Sequence, residues 1–272
     1  MTVACDSNTL ASTIDQAYQI PRDQWSSQHV DDINTAIAAL NDGSLRIMQP
    51  TENGWIHHAW LQKAILCYFK LMDNTSIAKS FLSLKDKVPS RFTTQAQLQD
   101  WPGRIVPPAH IRYGSYIGQN CVLMPCFVNI GAYIDDGTMI DTWATVGAGA
   151  QIGKHVHLSG GAGIGGILEP PQAKPTIIGD HCFIGARSEI AEGVVVGNGA
   201  VVAMGTFISQ STRIYDRTTG QVSYGKIPEN AVVVPGSIPS KDNTYSLQAA
   251  IIVKYADAKT RMKVGINELL RQ

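Results

Sequence analysis

Aliphatic side chains recur at every sixth position through the middle of this 272-residue chain. One unbroken series runs through Ile134, Ile140, Val146, Ile152, Leu158 and Ile164, and a second through Ile178, Ile184, Ile190, Val196, Val202, Ile208 and Ile214. The first series extends backwards through Val128, slips by one residue to Leu123, and resumes at Ile117 and Ile111, while Ile227 and Val233 continue the second. An α-helix repeats every 3.6 residues, so a period of six excludes one continuous helical face.

The other positions of the six-residue unit are also restricted. The residue after each aliphatic is mostly small, as at Gly147, Gly153, Gly165 and Gly179, and the fifth position is compact, as at Thr138, Ala144, Ala150, Cys182 and Ser188. This pattern predicts a short strand followed by a turn. Strands of this length cannot bury themselves alone, so successive units must stack. Three units would close a coil of 18 residues, with the aliphatics in internal ladders and about 4.8 Å between coils. The sequence therefore predicts a mainly β protein built on a parallel β-helix over residues 101–236.

The flanking regions differ from the repeat. Helical apolar spacing over 8–20, 30–40 and 59–72, with a hairpin turn at Asn53-Gly54, predicts a mainly helical N-terminal domain at 1–100. Residues 212–242, rich in Gly and Pro, predict a mobile loop followed by a last coil. Residues 237–272, which overlap the end of that segment, predict a short C-terminal α/β segment that ends in a helix at 257–271.

Charge and cysteine content exclude several functions. The chain carries 22 basic and 22 acidic residues, so no net field draws it to nucleic acid or to an anionic membrane. No apolar run approaches the roughly 18 residues of a membrane span, and the first residues lack the order of a signal peptide, which predicts a cytoplasmic protein. The five cysteines include no C-x-x-C pair, which indicates reduced thiols and no metal site.

Several segments of the repeat resemble a known family. They are Val128-Asn-Ile-Gly-Ala-Tyr133, Gly137 to Gly147, His157-Leu-Ser-Gly-Gly161, Phe183 to Glu189, and the terminal stretch Lys263 to Leu270. These segments are very similar to the tetrahydrodipicolinate N-succinyltransferase family of hexapeptide-repeat acyltransferases. The resemblance implies a left-handed β-helix, a homotrimer with active sites between subunits, and succinyl transfer from succinyl-CoA to the amino group of ring-opened tetrahydrodipicolinate. That step belongs to diaminopimelate and lysine biosynthesis, and it needs no tightly bound cofactor.

Two carboxylates match the acidic active-site residues of that family. An amine must be neutral to attack a thioester, so a base has to remove its proton. The hypothesis is that Glu189 is this base and that Asp141 orients or polarises the amine. The two are 48 residues apart, which is more than two coils and about 10 Å along the axis. We therefore expect that, if both act on one amine, they come from different subunits.

The dicarboxylate substrate calls for arginines, whose planar guanidinium binds a carboxylate through two hydrogen bonds. Arg104 matches the substrate-binding arginine of the family, and Arg187 lies in the same coil as Glu189. Trp143 and the backbone of Gly166 are candidates for lining the same pocket. Beside the terminal helix, Lys259 and Arg261 are candidates for binding the CoA phosphates.

Three alternatives remain open at this point. Many hexapeptide O-acetyltransferases use a histidine base, and His155, His157 and His181 all lie in the repeat. An N-acetyl variant of the same step is the second alternative, because spacing does not reveal the donor. The third is a β-helical scaffold without activity. The glycine run at 160–166 resembles a dinucleotide loop only superficially, since it is followed by Pro170-Pro171 and not by a helix.

Overall fold

The computed structural model describes residues 7–52, 54–73, 75–78, 83–99 and 101–256. The N-terminal part contains, in chain order, α1 Ser7–Gln19, a 3-10 turn Arg22–Gln24, α2 Ser27–Asp42, β1 Met48–Thr51, β2 Gly54–His57, α3 Ala59–Leu71, β3 Thr75–Ala78, β4 Ser83–Asp86 and α4 Gln95–Gln99. The three long helices and the β1–β2 hairpin agree with the prediction. Ser26 caps α2 by accepting a hydrogen bond from the His29 amide, and Gly43 ends it at φ 84°.

Seventeen short strands follow the N-terminal part, and each of them is two residues long. They are β5 Arg104–Ile105, β6 His110–Ile111, β7 Tyr116–Ile117, β8 Val122–Leu123, β9 Phe127–Val128, β10 Tyr133–Ile134, β11 Met139–Ile140, β12 Thr145–Val146, β13 Gln151–Ile152, β14 His157–Leu158, β15 Gly163–Ile164, β16 Ile177–Ile178, β17 Phe183–Ile184, β18 Glu189–Ile190, β19 Val195–Val196, β20 Val201–Val202 and β21 Phe207–Ile208. The C-terminal strands are β22 Arg213–Asp216, β23 Gln221–Ser223, β24 Lys226–Ile227, β25 Ala231–Pro239 and β26 Ser246–Tyr255.

Every third strand pairs in parallel with the strand one coil away, which gives three flat faces. Face 1 holds β5, β8, β11, β14, β17, β20 and β25; face 2 holds β6, β9, β12, β15, β18 and β21; face 3 holds β7, β10, β13, β16, β19 and β24. The β-helical part of the chain is thus a triangular prism of parallel coils, as the six-residue period predicts.

The interior of the prism consists of the aliphatic ladders. Each inward aliphatic from Ile134 to Ile214 is at most 2% exposed. Each contributes about 1.5 to 3 kcal/mol when fully buried, so the ladders dominate the stability of this part of the chain. Polar residues at the fifth position bind backbone carbonyls: Thr138 Oγ1 donates to Gly153 O at 2.8 Å, and Ser188 Oγ donates to Ala203 O at 2.8 Å. Burying these hydroxyls is therefore tolerated.

The N-terminal helices pack against face 3 through an apolar cluster that includes Ile47, Ile65 and Ile177. Arg46 lies over the ring of Tyr133, with 3.5 Å from Cζ to the ring centroid. The predicted boundary at residue 100 falls between α4 and β5. The helical part is therefore a cap along one face of the prism.

The C-terminal part departs from the sequence prediction in two places. The prediction of a mobile loop at the start of 212–242 is wrong, because β22 and β23 form an antiparallel hairpin there, followed by the last coil strand β24. The predicted boundary at 236 falls inside β25, which pairs antiparallel with β26 as a long hairpin. The predicted terminal helix at 257–271 lies outside the described residues. No helix in the described ranges is long and apolar enough to cross a membrane.

Candidate active site

The turn that joins face 1 to face 2 brings several of the predicted residues together, and we call it the site corner. It comprises residues 141–144, 159–162, 185–188 and 203–206 in four successive coils. Its third position always has a positive φ: 61° at Trp143, 68° at Gly161, 59° at Arg187 and 69° at Gly205. Backbone hydrogen bonds connect this column, as from Gly161 N to Thr142 O at 2.8 Å. Residues at this position therefore stack along the axis.

Glu189 is the first residue of β18, and its side chain points away from the interior of the prism and is exposed. Its strand partner one coil before is Gly163, whose own partner is Thr145. A Cβ built on Gly163 would lie 2.0 Å from Glu189 Oε2 and 2.5 Å from its Cδ. The carboxylate thus occupies the space that the missing side chain of Gly163 leaves, one coil closer to Asp141 than the backbone of Glu189.

Arg187 follows the same arrangement at the site corner. A Cβ on Gly161 would meet Arg187 Cδ at 2.7 Å and its Nε at 2.8 Å. One coil lies between the coil of Arg187 and Glu189 and the coil of Asp141. Both charged side chains extend over glycines of that intervening coil. The two glycines give these charged side chains a common direction toward the coil of Asp141.

Asp141 opens the site corner directly after β11. Its Oδ1 accepts hydrogen bonds from the Thr142 amide at 2.6 Å and from Thr142 Oγ1 at 3.3 Å. Oδ2 faces His157 Nε2 at 3.9 Å, which is beyond hydrogen-bond distance. The carboxylate is therefore fixed through Oδ1, while Oδ2 accepts no hydrogen bond from the described residues.

The three candidate histidines lie at different places. His157 projects from face 1 beside Asp141, and its buried Nε2 has no hydrogen-bond partner among the described residues. His155 and His181 lie at the opposite corner, between faces 3 and 1, where their exposed rings stack with centroids 5.2 Å apart. Of the three, only His157 thus lies beside Asp141.

The remaining predicted residues are more dispersed. Arg104 is exposed at the start of face 1, and its Nη2 lies 3.9 Å from the sulfur of Met124, which occupies the position of Asp141 one coil earlier. Gly166 lies at the other end of β15, and its N–H donates no hydrogen bond within the described part of the chain. Lys259 and Arg261 fall outside the described residues. Asp141 and Glu189 are in coils two apart, as the sequence spacing predicts.

Glu189 borders a groove of about 200 Å³ whose lining includes Phe207, Ser209 and Gln248. A larger groove, about 550 Å³, lies on the C-terminal hairpin around Tyr215 and Arg217, and no carboxylate lines it. We place the candidate site at the site corner together with Glu189, the proton acceptor next to it, which also borders the smaller groove. Among the described residues, no group of three or more His, Cys, Asp or Glu side chains could hold a metal ion.

A parallel β-helix made of six-residue repeats is the fold of the hexapeptide-repeat acyltransferases. Residues 175–210 match a family profile described as the hexapeptide repeat of succinyl-transferase, and residues 9–71 match one described as the N-terminal part of tetrahydrodipicolinate N-succinyltransferase. The 2,3,4,5-tetrahydropyridine-2,6-dicarboxylate N-succinyltransferase of Acinetobacter baylyi is 55% identical over 268 residues, covering 96% of this chain and 98% of the relative. The corresponding protein of Sodalis glossinidius is 58% identical over 243 residues, covering 89% of each chain. The chain belongs to the tetrahydrodipicolinate N-succinyltransferase family, which confirms the resemblance.

One solved structure supports the fold. It is described as a 2,3,4,5-tetrahydropyridine-2-carboxylate N-succinyltransferase from Campylobacter jejuni, and it matches with a TM-score of 0.51 and 16% identity. The match covers 82% of this chain and 62% of that one. Together with the repeat profile, it confirms the predicted left-handed parallel β-helix.

Sequence reasoning missed the two glycines over which the charged side chains lie. Gly163 occupies the outward strand position that Thr145, Glu189 and Phe207 fill in the neighbouring coils. A glycine in a strand marks a place where another group approaches closely, and this signal could have identified it. Gly161 carried no such signal, because glycine is common at positions with positive φ.

Proposed function

We propose that the site corner transfers a succinyl group from succinyl-CoA to the amino group of ring-opened tetrahydrodipicolinate, with Glu189 as general base and Asp141 orienting the amine. The N-succinyltransferase relatives, 52–58% identical to this chain, support the succinyl donor over an acetyl donor. They also disfavour a histidine-dependent O-acetyltransferase. The observation that carries the assignment is the exposed Glu189 carboxylate held over Gly163, beside a groove.

The proposed chemistry is a single acyl transfer. The neutral amine attacks the thioester carbonyl, the new C–N bond forms, and the C–S bond breaks to release the CoA thiolate. Glu189 accepts the proton that the amine loses, and this proton then neutralises the thiolate or leaves to solvent. The free Oδ2 of Asp141 accepts a hydrogen bond from the amine and so orients its lone pair.

Arg187 and Arg104 provide positive charge at the two ends of the site. Arg187 leans over Gly161 in the coil next to Asp141, and Arg104 reaches Met124 one coil on the other side. A dicarboxylate with its amine at Asp141 would meet one guanidinium on each side, and each could bind a carboxylate through two hydrogen bonds. Trp143, 63% exposed, would cover the substrate from the site corner.

A donor-by-acceptor assay tests the proposed reaction. Succinyl-CoA and acetyl-CoA are each supplied with tetrahydrodipicolinate, and free thiol is followed. We expect thiol release that depends on the acceptor and is faster with succinyl-CoA. Release with acetyl-CoA alone, or release independent of the acceptor, would contradict the proposal.

The site is further proposed to lie between the subunits of a homotrimer. Apolar side chains are exposed next to the carboxylates: Trp143 at 63%, Met204 at 67% and Phe207 at 52%. Exposed apolar surface of this kind marks an interaction site, and a second copy would cover it and bring its own carboxylate to the amine. Mixing inactive Asp141→Ala and Glu189→Ala protomers should then restore part of the activity. Mixed oligomers with no activity would refute a shared site.

Two finer points stay predictions. CoA is proposed as a co-substrate that is not tightly bound, and the roles of Lys259 and Arg261 in binding it are tested by the Kd for CoA of alanine variants. The cytoplasmic location is tested by cell fractionation.

A further inference from the structure

The eleven residues 166–176 interrupt the six-residue period between β15 and β16, and we call them the excursion loop. The loop begins two residues after Ile164 and three after Gly163, over which the Glu189 carboxylate lies. Gly166 packs directly on the preceding coil, since a Cβ there would lie 2.2 Å from Ala148 N. The loop therefore begins just after the strand over which the Glu189 carboxylate lies.

A side chain of the N-terminal helices holds both ends of this loop. Gln62, on α3, is fully buried. Its Nε2 donates to Ile167 O at 2.9 Å and to Ala173 O at 3.1 Å. The two accepting residues are six positions apart, so one amide closes the loop across its base. Both donor hydrogens of the amide are used, as a buried polar group requires.

His57 fixes the orientation of that amide. Because Gln62 Nε2 donates twice, Oε1 is the acceptor, and His57 Nε2 must carry the hydrogen that it donates to Oε1 at 2.5 Å. An amide turned by 180° would place its oxygen against two carbonyl oxygens. The His57 hydrogen bond therefore favours the orientation that binds the loop.

Apolar contacts add to the same attachment. Leu168 of the loop packs against the cluster formed by the N-terminal helices. The Ile167 amide also donates to Ala148 O at 3.0 Å, which ties the loop to the coil that Gly166 covers. The first residues of the loop thus contact both the N-terminal helices and the β-helix.

From these contacts we propose that Gln62 is a positioning residue, which sets the place of the excursion loop and so of the Gly166 backbone at the acyl-transfer site. This inference rests on the proposed function and deepens it, because it gives the N-terminal helices a role in acceptor binding. The Gly166 N–H donates no hydrogen bond within the described part of the chain, and on this proposal it is the donor that the loop would offer to the substrate.

The test compares Gln62→Met with Gln151→Met, both of which replace a buried amide at the contact between the N-terminal helices and the β-helix. The Gln151 side chain is buried, donates to Gly149 O and accepts from Arg46 Nε, and it makes no hydrogen bond to the excursion loop. The bond from the Gln151 backbone N–H to Thr176 O is kept in the Met variant. Amide hydrogen exchange of 166–176 should be roughly 10- to 100-fold faster in Gln62→Met, as expected when hydrogen bonds to a buried amide are lost, and unchanged in Gln151→Met. The KM for the acceptor should rise about tenfold in the first variant only, with the KM for succinyl-CoA unchanged.

His57→Ala is the second, milder variant, since it leaves the Gln62 donors in place. It should raise loop exchange and the acceptor KM in the same direction but by less. Equal loop exchange and equal acceptor KM in Gln62→Met and Gln151→Met would overturn the proposal, as would a loss of stability without a local change in the loop. If the wild-type protein failed to transfer succinyl, the proposed function would fail, and loop exchange alone would decide whether Gln62 anchors the loop.

Discussion

Substituting Gly163 by alanine tests the position of the Glu189 carboxylate without altering that residue. The new Cβ would lie 2.0 Å from Oε2 and 2.5 Å from Oε1 and Cδ, whereas ordinary contacts begin near 3.4 Å. The carboxylate must therefore retreat by more than about 1 Å. A displacement of this size at a reacting group costs roughly 10²-fold in rate, so kcat should fall by about that factor.

Stability should hardly change in the same variant. Gly163 does not need a positive φ, and the atoms that its new methyl group meets belong to the end of an exposed, flexible side chain. Alanine is also favoured over glycine in a strand by about 0.5 to 1 kcal/mol. The urea midpoint should therefore stay the same or rise slightly.

Gly160→Ala is the matched control in the same coil. Its Cβ would find only Thr142 O, at 3.4 Å, which is an ordinary contact. Its kcat should fall much less than that of Gly163→Ala, because its methyl group does not meet the Glu189 carboxylate. Steady-state kinetics with succinyl-CoA and tetrahydrodipicolinate compares the two variants. Full turnover by Gly163→Ala would show that the observed position of the carboxylate is not the reactive one.

Three further predictions address the prism and the alternatives. Leu158→Ala should lower the free energy of unfolding by about 2 to 5 kcal/mol in urea titrations, because it empties a fully buried position; a smaller loss would contradict the ladder account. Burial raises the pKa of Cys121 from 9.0 to about 11 and that of Cys126 from 9.0 to about 12, so these thiols stay protonated in the folded protein while unfolded thiols ionise. The contribution of each buried thiol to the free energy of unfolding is complete below pH 9. Above pH 9 it falls by about 1.4 kcal/mol per pH unit for each thiol, until the folded thiols also ionise near pH 11 to 12. A urea midpoint that stays level between about pH 8 and about pH 10 would be inconsistent with this. Alanine at His155 or His181 should leave kcat within about twofold, since both lie at the opposite corner, and a loss of 10² or more would favour the histidine-dependent alternative.

The β-helix could be predicted because its information is local and repeats. Each inward aliphatic, such as Ile140 or Ile190, is specified by its own six-residue unit, and stacking multiplies the signal. The slip between Leu123 and Val128 is also visible, and it corresponds to a turn at 124–126 that is one residue shorter than the equivalent turn at 141–144.

The direction of side chains on the outside could not be predicted in the same way. Glu189 and Arg187 lean over Gly163 and Gly161, and this depends on which residue stands 26 positions earlier, across the excursion loop. The strands on either side of the loop are 26 residues apart, so a period of 18 does not align these partners.

Contacts between the N-terminal helices and the β-helix could not be predicted from the sequence either. Gln62 meets Ile167 across 105 residues of sequence and Ala173 across 111. A lone glutamine in an amphipathic helix carries no sign that its amide is buried. Only the folded chain shows that this side chain closes the base of the loop.

The proposed acyl transfer depends on Glu189 removing the proton of the attacking amine. Glu189→Gln keeps the size of the side chain but cannot accept that proton, and its effect on kcat, measured beside the Kd for CoA, is the most direct test. We expect kcat to fall by about 10² or more while CoA binds as in the wild type. A Gln variant that turns over at the wild-type rate would contradict it.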